Sequence, residues 1–452
     1  MQEARFCTLT VDNIPARRYN RGSCKNNKKV IKTTLLLFIS HTSLPRMDRH
    51  SIRPEDLMNI GIFTDTYYPQ INGVATSIST LRDELQKRGH NVFLFTAKDP
   101  AINEKELNIF RLSSMPFVFS PAHRATYMCP PRLLMRMRTF ELDIIHTHTE
   151  FSLGLLGKII SQSLGKPHVH TYHTMYEEYT HYVANGHLVS RGMARRFSRF
   201  FCNRADTVIA PVQSTRERLL QYGVRCPIEV IPTGINFRPL NKENYPAEET
   251  AALKASLGIK PNCPIIINIG RVAREKNIPA LINAMPKLLK HLPDAKLVIV
   301  GNGPIIGEMT TLAATRGVNG SVLFAGGKPL SEIGRYYQLG DVFATASTSE
   351  TQGLTYYEAM ASGVPVVAKR DTSIATTLVD GFNSYLFDSD CQLADTLHKA
   401  LSSKDQHKML THNAYETITP LSSAKFGESI EQLYSNMVEQ NKNKRNRWPW
   451  KR

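Results

Sequence analysis

No stretch of the 452 residues approaches the roughly 20 consecutive apolar residues that a membrane-spanning helix needs, so such a helix does not organise this chain. The nearest candidate, TTLLLFIS at 33–40, follows a lysine-rich stretch and is too short. Cysteine is sparse and scattered: Cys7, Cys24, Cys129, Cys202, Cys226, Cys263 and Cys391 form no C-x-x-C pair. That argues against a zinc ribbon or a disulfide framework and fits reduced thiols in a cytosolic protein. No cluster with metal-ligand spacing is found, so no metal site is expected. Acidic residues are in the minority, 39 against 56 basic ones, giving a net charge of +17. The excess sits in both tails and in the first half of the chain, while 235–441 is near neutral. A chain charged in this way can turn one half toward an anionic surface; a merely solvated basic surface is the alternative. Zinc-finger spacing and an aromatic-basic RNA-binding signature are both missing, so nothing supports nucleic acid as the partner.

What is present is ordinary globular composition, 42% hydrophobic and 21% charged, with length enough for two cores. From Met58 short apolar runs alternate with amphipathic segments: 60–63, 91–96, 143–148, 168–172, 207–210 and 228–231 read as strands, 74–89 and 151–164 as helices. Regularity lapses at 235–263 and resumes with strands at 265–269, 296–300, 322–324, 342–344 and 364–368. Alternation of this kind predicts parallel sheets with helices on both faces and ligands at the carboxyl ends of the strands. The segments are therefore 1–57, an extension outside the fold and disordered; 58–234, a first domain; 235–263, a linker; 264–440, a second domain with the final helix; and 441–452, a basic tail holding both tryptophans.

The densest chemistry lies at 347–363, STSETQGLTYYEAMASG, between the strand VFATA and the strand VPVVA. Glu350 and Glu358 stand eight residues apart, and Gly353 and Leu354 open the helix that carries the second. A helix start offers unpaired N–H groups and a positive dipole end to phosphate, while carboxylates accept from sugar hydroxyls. A nucleotide sugar asks for both. A second element, GRVAREKN at 270–277, also follows a strand; Arg271 and Lys276 can neutralise a diphosphate, and Gly270 lets the chain turn. Either cation alone reads better as a solvated side chain; their place after a strand in the same domain as the carboxylate pair shifts the weight toward binding.

These residues resemble the retaining GT-B glycosyltransferases of family 4, whose second domain carries G-R-x-x-x-E-K and then E-x7-E, here Gly270, Arg271, Glu275, Lys276, Glu350 and Glu358. The resemblance covers about 58–440 and implies an α/β architecture of two doubly wound Rossmann-like domains facing across a cleft. It also implies a UDP-sugar donor and no cofactor. Arg271 and Lys276 would hold the diphosphate, Glu350 the transferred hexose and Glu358 the ribose, with backbone donors from Gly353 and Leu354. In the first domain Gly73 matches one of a glycine pair that approaches the donor phosphates, and Asn72 departs from the other. His173, in HVHTYHTMYEEY at 168–179, stands in the loop where the family has a functional histidine. It joins Arg271, Lys276 and Glu350 as the catalytic set, whereas His146, His148, His168 and His170 read as structural or solvent-exposed. Gly301, Gly303, Gly326 and Gly327 stay open between tight turns and ligand contact.

Among subgroups, MNIGIFTDTYYPQINGVATSISTLRDELQKRGH, HTYHTMYEEY and IPTGIN look most like the bacterial diacylglycerol glucosyltransferases. That resemblance implies a peripheral enzyme at the cytoplasmic face of the cell membrane. It would move glucose from UDP-glucose to 1,2-diacylglycerol with retention, giving a glycolipid that can anchor lipoteichoic acid. Addition of a second glucose or galactose to a glycolipid, or a mannosyl enzyme, stays open. A donor-binding partner without catalysis is opposed by the intact Arg271, Lys276, Glu350 and Glu358. Related membrane enzymes touch the bilayer through a basic amphipathic segment, matched here by LVSRGMARRFSRFFCNR at 188–204. Leu188, Met193, Phe197, Phe200 and Phe201 are expected on one face, with Arg191, Arg195, Arg196 and Arg199 supplying charge. An ordinary helix packed on the sheet is the alternative. PPRLLMRMR at 130–138 and the tail KNKRNRWPWKR share the mixed character.

Overall fold

Runs such as IIINI at 265–269 and IIHT at 144–147 are apolar or buried on both sides, the pattern of strands covered by helices on both faces. The computed structural model describes residues 57–70, 72–102, 106–117, 120–126, 131–178, 190–347, 350–371 and 374–447. The expected extension, apart from Leu57, and the two tryptophans of the tail lie outside the described residues.

The first sheet is built from β1 (Asn59–Thr64), β2 (Asn91–Ala97), β3 (Ile109–Leu112), β6 (Ile144–Thr147), β7 (His168–Thr171), β8 (Thr207–Ala210) and β9 (Ile228–Val230), in the order β3-β2-β1-β6-β7-β8-β9. An antiparallel hairpin of β4 (Ser114–Phe117) and β5 (Ser120–Thr126) stands apart from it. The second sheet is built from β10 (Ile265–Ile269), β11 (Lys296–Val300), β12 (Val322–Gly326), β13 (Val342–Thr345), β14 (Val366–Lys369) and β15 (Tyr385–Phe387), in the order β12-β11-β10-β13-β14-β15. Pairing is parallel throughout both sheets. The expected two doubly wound Rossmann-like domains are thus in place. In each, strand order reverses at the first strand, β1 between β2 and β6 and β10 between β11 and β13. The loops after those strands lie at the switch points where open α/β sheets bind ligands.

Two boundaries differ from the sequence reading. Residues 235–263 are no free linker: Ile235, Leu240, Ile259 and Cys263 are buried in the second domain's core with Ile265 and Ile267, and the helix Ala247–Ser256 lies within the stretch. Polar composition hid a segment that anchors by a few apolar residues. The final helix, Ser423–Arg447, follows the second domain in sequence but packs on the first. Its Phe426, Ile430, Tyr434 and Met437, spaced along one face, join Met58, Ile60, Leu81 and Leu85 in one core. It runs on to Arg447, absorbing the start of the expected tail. The two chain crossings between domains touch, Ile235 N donating to the Leu421 carbonyl at 2.7 Å and Ser423 N to the Ile235 carbonyl at 2.9 Å.

Candidate active site

Two loops of the second domain carry the charged groups. Residues 270–277 leave β10 and turn through the 3-10 segment Arg274–Lys276. The loop after neighbouring β13 ends at Gly353, the cap of the helix Leu354–Ala361. Because β10 and β13 are adjacent, these distant loops meet: Lys276 Nζ donates to Glu350 Oε1 at 2.6 Å. The pair is largely shielded, the lysine side chain 24% and the glutamate 11% exposed. Arg271 bonds Glu275, and Ser347 Oγ donates to the Glu275 carbonyl at 3.2 Å, fastening one loop to the other. Gly353 has a φ of +75°, and a Cβ there would come within 2.4 Å of the Tyr356 ring, so this entry into the helix requires glycine. Gly270 is the position at which the chain leaves β10; a Cβ on Gly301 would lie 1.8 Å from the Gly270 carbonyl oxygen, and one on Gly303 2.0 Å from that of Val272. For Gly301 and Gly303 the close approach of one loop to another accounts for the residue. Gly327, which follows Gly326, gives its N–H to Asn302 Oδ1 at 2.9 Å.

Glu358 lies in the second turn of that helix and borders a cavity between the helix Gly73–Lys87 of the first domain and Leu330, Ile333 and Leu354 of the second. Tyr337 Oη donates to Glu358 Oε2 at 2.9 Å. Burial pushes the Glu358 carboxyl up to about 7, with the Tyr337 hydroxyl opposing, although part of the side chain still reaches the cavity.

The first domain supplies the opposite wall. A Cβ at Gly73 would lie 3.8 Å from Leu354 Cδ1, so its first strand-to-helix loop reaches the helix start of the donor half. Asn72 is committed to the turn itself: its Oδ1 accepts from Ala75 N and its Nδ2 donates to Thr66 Oγ1, both at 2.9 Å. Thr351 Oγ1 donates to the His173 carbonyl at 3.0 Å, joining the histidine loop to the Glu350 loop. Buried Gln352 clasps Thr233 at the domain junction, accepting from its N–H and donating to its carbonyl, both at 2.9 Å. Neither residue stands out in the sequence. The available signal is their place between Glu350 and Gly353, in a loop that follows a strand.

His173 Nε2 meets His148 Nδ1 at 2.9 Å, with ring centroids 5.2 Å apart and near-parallel planes. Burial, aided by His170, holds His173 down at about 3, and burial with His146 beside it holds His148 well below its ordinary value, so both rings are neutral. His146, His168 and His170 are buried structural groups, not solvent-exposed ones. His146 is fixed by the Tyr434 hydroxyl at 2.5 Å and Thr171 Oγ1 at 2.7 Å, while His168 and His170 share Thr147 Oγ1.

The basic amphipathic segment forms the helix Arg191–Cys202. Met193, Phe197 and Phe200 are exposed as expected, but Phe201 is buried, its ring 4.7 Å from His170, because it falls on the face with Ala194, Ser198 and Cys202. Leu188 lies outside the described residues. Arg195 is not available to an outside anion in the way Arg191, Arg196 and Arg199 are: its Nε donates to Glu177 at 2.5 Å, and its guanidinium lies over Tyr222. The exposed face extends further than the sequence suggests. Phe197 stacks on Phe151 at 6.0 Å, and Phe151, Leu155 and Ile159, spaced four apart, are exposed at and along the helix Ser152–Leu164. Together they form one apolar ridge edged by arginines. No helix among the described residues is long and apolar enough to cross a membrane.

Against known proteins, residues 71–238 match the Glycosyltransferase Family 4 domain and residues 249–417 the Glycosyl transferases group 1 domain. The chain is 39% identical to the alpha-monoglucosyldiacylglycerol synthase of Streptococcus pneumoniae, over 85% of this chain and 87% of that protein. It is 31% identical to the alpha-monoglucosyldiacylglycerol synthase of Acholeplasma laidlawii, over 86% of this chain and 100% of that one. Among solved structures, HepE of Anabaena in complex with UDP and glucose superposes with a TM-score of 0.69 at 19% identity, covering 84% of this chain and 100% of that one.

Proposed function

The chain belongs to the family 4 glycosyltransferases of GT-B fold, and from that premise we propose that it transfers glucose from UDP-glucose to 1,2-diacylglycerol at a membrane surface, with retention at the anomeric carbon. One observation carries this reading: Lys276 and Glu350, from the loops after the adjacent strands β10 and β13, meet at 2.6 Å in a chain 39% identical to a named alpha-monoglucosyldiacylglycerol synthase. Arg271 and Lys276 hold the diphosphate, Glu350 the hexose and Glu358 the ribose. Gly73 approaches the phosphates from the opposite wall, and the N–H groups of Gly353 and Leu354 face them from the helix start. The bond from the anomeric carbon to phosphate breaks and one to the acceptor oxygen forms, the hydroxyl proton passing to the departing diphosphate. Stabilisation of that departing charge is the principal catalytic term, and the two cations supply it without a metal. The apolar ridge with Arg191, Arg196 and Arg199 rests on anionic lipid at the cytoplasmic face and brings the lipid acceptor to the first domain.

Purified protein supplied with labelled UDP-sugars and vesicles of diacylglycerol or glycolipid tests the whole reading, with products identified by mass. Monoglucosyl lipid from UDP-glucose and diacylglycerol is expected, unchanged by a chelator. Product from glycolipid alone would point to addition of a second hexose, and absence of UDP release with every acceptor would point to a donor-binding partner.

Glu358 gives a pH prediction. A carboxyl raised from its ordinary value to about 7 binds its proton more tightly in the folded state, so the folded protein loses stability as pH climbs from the unfolded value through 7. Glu358→Gln removes the ionisable group, and its melting temperature should gain on wild type from pH 5 to about 7, the gap levelling off above that. Ribose hydroxyls that donate to the carboxylate favour its charged form, so UDP affinity of wild type should rise more steeply with pH than that of the variant, whose remaining slope is that of the nucleotide's own phosphate. A constant stability gap across pH would contradict the burial argument.

A further inference from the structure

We propose that His148 is a positioning residue that fixes the tautomer of His173, so that His173 presents its Nδ1–H to the cleft as a neutral hydrogen-bond donor. This rests on the proposed function and on the expectation that His173 joins Arg271, Lys276 and Glu350 at the reacting centre.

One hydrogen lies between His148 Nδ1 and His173 Nε2 at 2.9 Å, and it belongs to one ring or the other. The choice is decided on the far side of His148. That residue is 2% exposed, and its Nε2 has no partner among the described residues. The ring packed against it, His146 at 4.0 Å between centroids, is no help, since both of its nitrogens are engaged by Tyr434 and Thr171. Were His173 the donor, neutral His148 would carry its proton on Nε2, a buried N–H without an acceptor, which proteins almost never tolerate. With His148 as donor, the unpartnered atom is a bare ring nitrogen. Its proton then sits on Nδ1, His173 Nε2 accepts, and the proton of His173 is on Nδ1. No described group pairs with that Nδ1, and the His173 carbonyl is held by Thr351 of the donor loop. The ring is therefore anchored at Nε2 by His148 and its backbone by Thr351, with one ring N–H left for substrate. A neutral donor of this kind bonds an oxygen of hexose or acceptor and takes up no proton, in keeping with transfer of the acceptor proton to the diphosphate. Holding the correct tautomer through a second residue is the role that carboxylates and carbonyls play for other functional histidines.

Two measurements test the proposal. In protein labelled with nitrogen-15 histidine, with His173 identified by the signal lost in His173→Gln, the shifts should place the proton on Nδ1 of His173 and leave Nε2 bare. A protonated Nε2 overturns the proposal, and this reading needs no variant of His148 to fold. In kinetics, His148→Asn sets an amide N–H where Nδ1 stood and should keep kcat near wild type. His148→Gln, whose amide falls nearer the Nε2 position, and His148→Ala should lower kcat about 10-fold or more with KM for UDP-glucose little changed. Equal kcat in the Asn, Gln and Ala variants overturns it. If His173→Ala itself keeps full kcat, the placement of His173 at the reacting centre fails, while the nitrogen shifts still decide the pairing.

Discussion

Lys276→Ala is expected to lower kcat/KM for the sugar nucleotide by about two to three decades, roughly 3–4 kcal/mol of transition-state stabilisation. The effect is large because the ammonium is mostly shielded from water and, in the proposed site, faces the charge that develops as diphosphate departs; in such a site a cation is worth far more than in solvent. Lys276 also donates to Glu350 at 2.6 Å, so its loss loosens the carboxylate assigned to the hexose. Arg271→Ala should match it in rate. It should also melt at a lower temperature, because it strips a guanidinium from Glu275, whose side chain is only 5% exposed. Steady-state kinetics with UDP-glucose and diacylglycerol vesicles, alongside thermal melts, separate the two effects. Near-normal kcat/KM in both variants would remove the donor-site assignment.

How much of this was legible in sequence follows from which interactions are local. The strands 207–210, 265–269 and 296–300 are found where the apolar runs end, since a strand buried on both faces announces itself by composition. The site loops were legible for the same reason: they begin where those runs stop. What stayed hidden depends on tertiary partners. The final helix shows an apolar stripe but no sign of which sheet it covers, and it crosses back to the first domain. The edge strand β15 is three residues long and β3 four, too short to carry an alternation signal. Phe201 and Phe200 are neighbours of identical composition, and only the helix phase set by Ala194 and Ser198 sends one into the core and the other to the surface. His148 reads as one more structural histidine until its ring is found against His173.

The other large effect is expected at the apolar ridge, where two kinds of attraction can be separated by variant. Leu155, Ile159, Met193 and Phe200 are exposed, so polar replacements there should leave stability close to wild type. Burying such a side chain fully is worth roughly 1.5–3 kcal/mol. Since each is already partly covered, about 1 kcal/mol apiece remains for the lipid to supply. A quadruple Ser variant should then lose about 4 kcal/mol of vesicle affinity, nearly three decades, on neutral and anionic lipid alike and at any salt. Arg191, Arg196 and Arg199 act differently. Near an anionic surface each contributes about 1 kcal/mol, and that attraction reaches only about 8 Å at physiological ionic strength. The triple Gln variant should therefore lose about two decades on anionic vesicles at low salt and almost nothing on neutral ones. Arg195 is left out because Glu177 already holds it, and Arg195→Gln should weaken the fold around the Glu177–Arg218 contacts more than it weakens lipid binding. Both surface variants should retain slow UDP-glucose hydrolysis, because the charged groups proposed to hold the donor lie in the other domain. Flotation on neutral and anionic vesicles at low and high salt is the decisive measurement. If the ridge variant floats like wild type, these side chains are not what meets the membrane. If the ridge variant alone fails while the arginine variant is indifferent to lipid charge, apolar insertion holds the enzyme and the basic excess is only solvated surface.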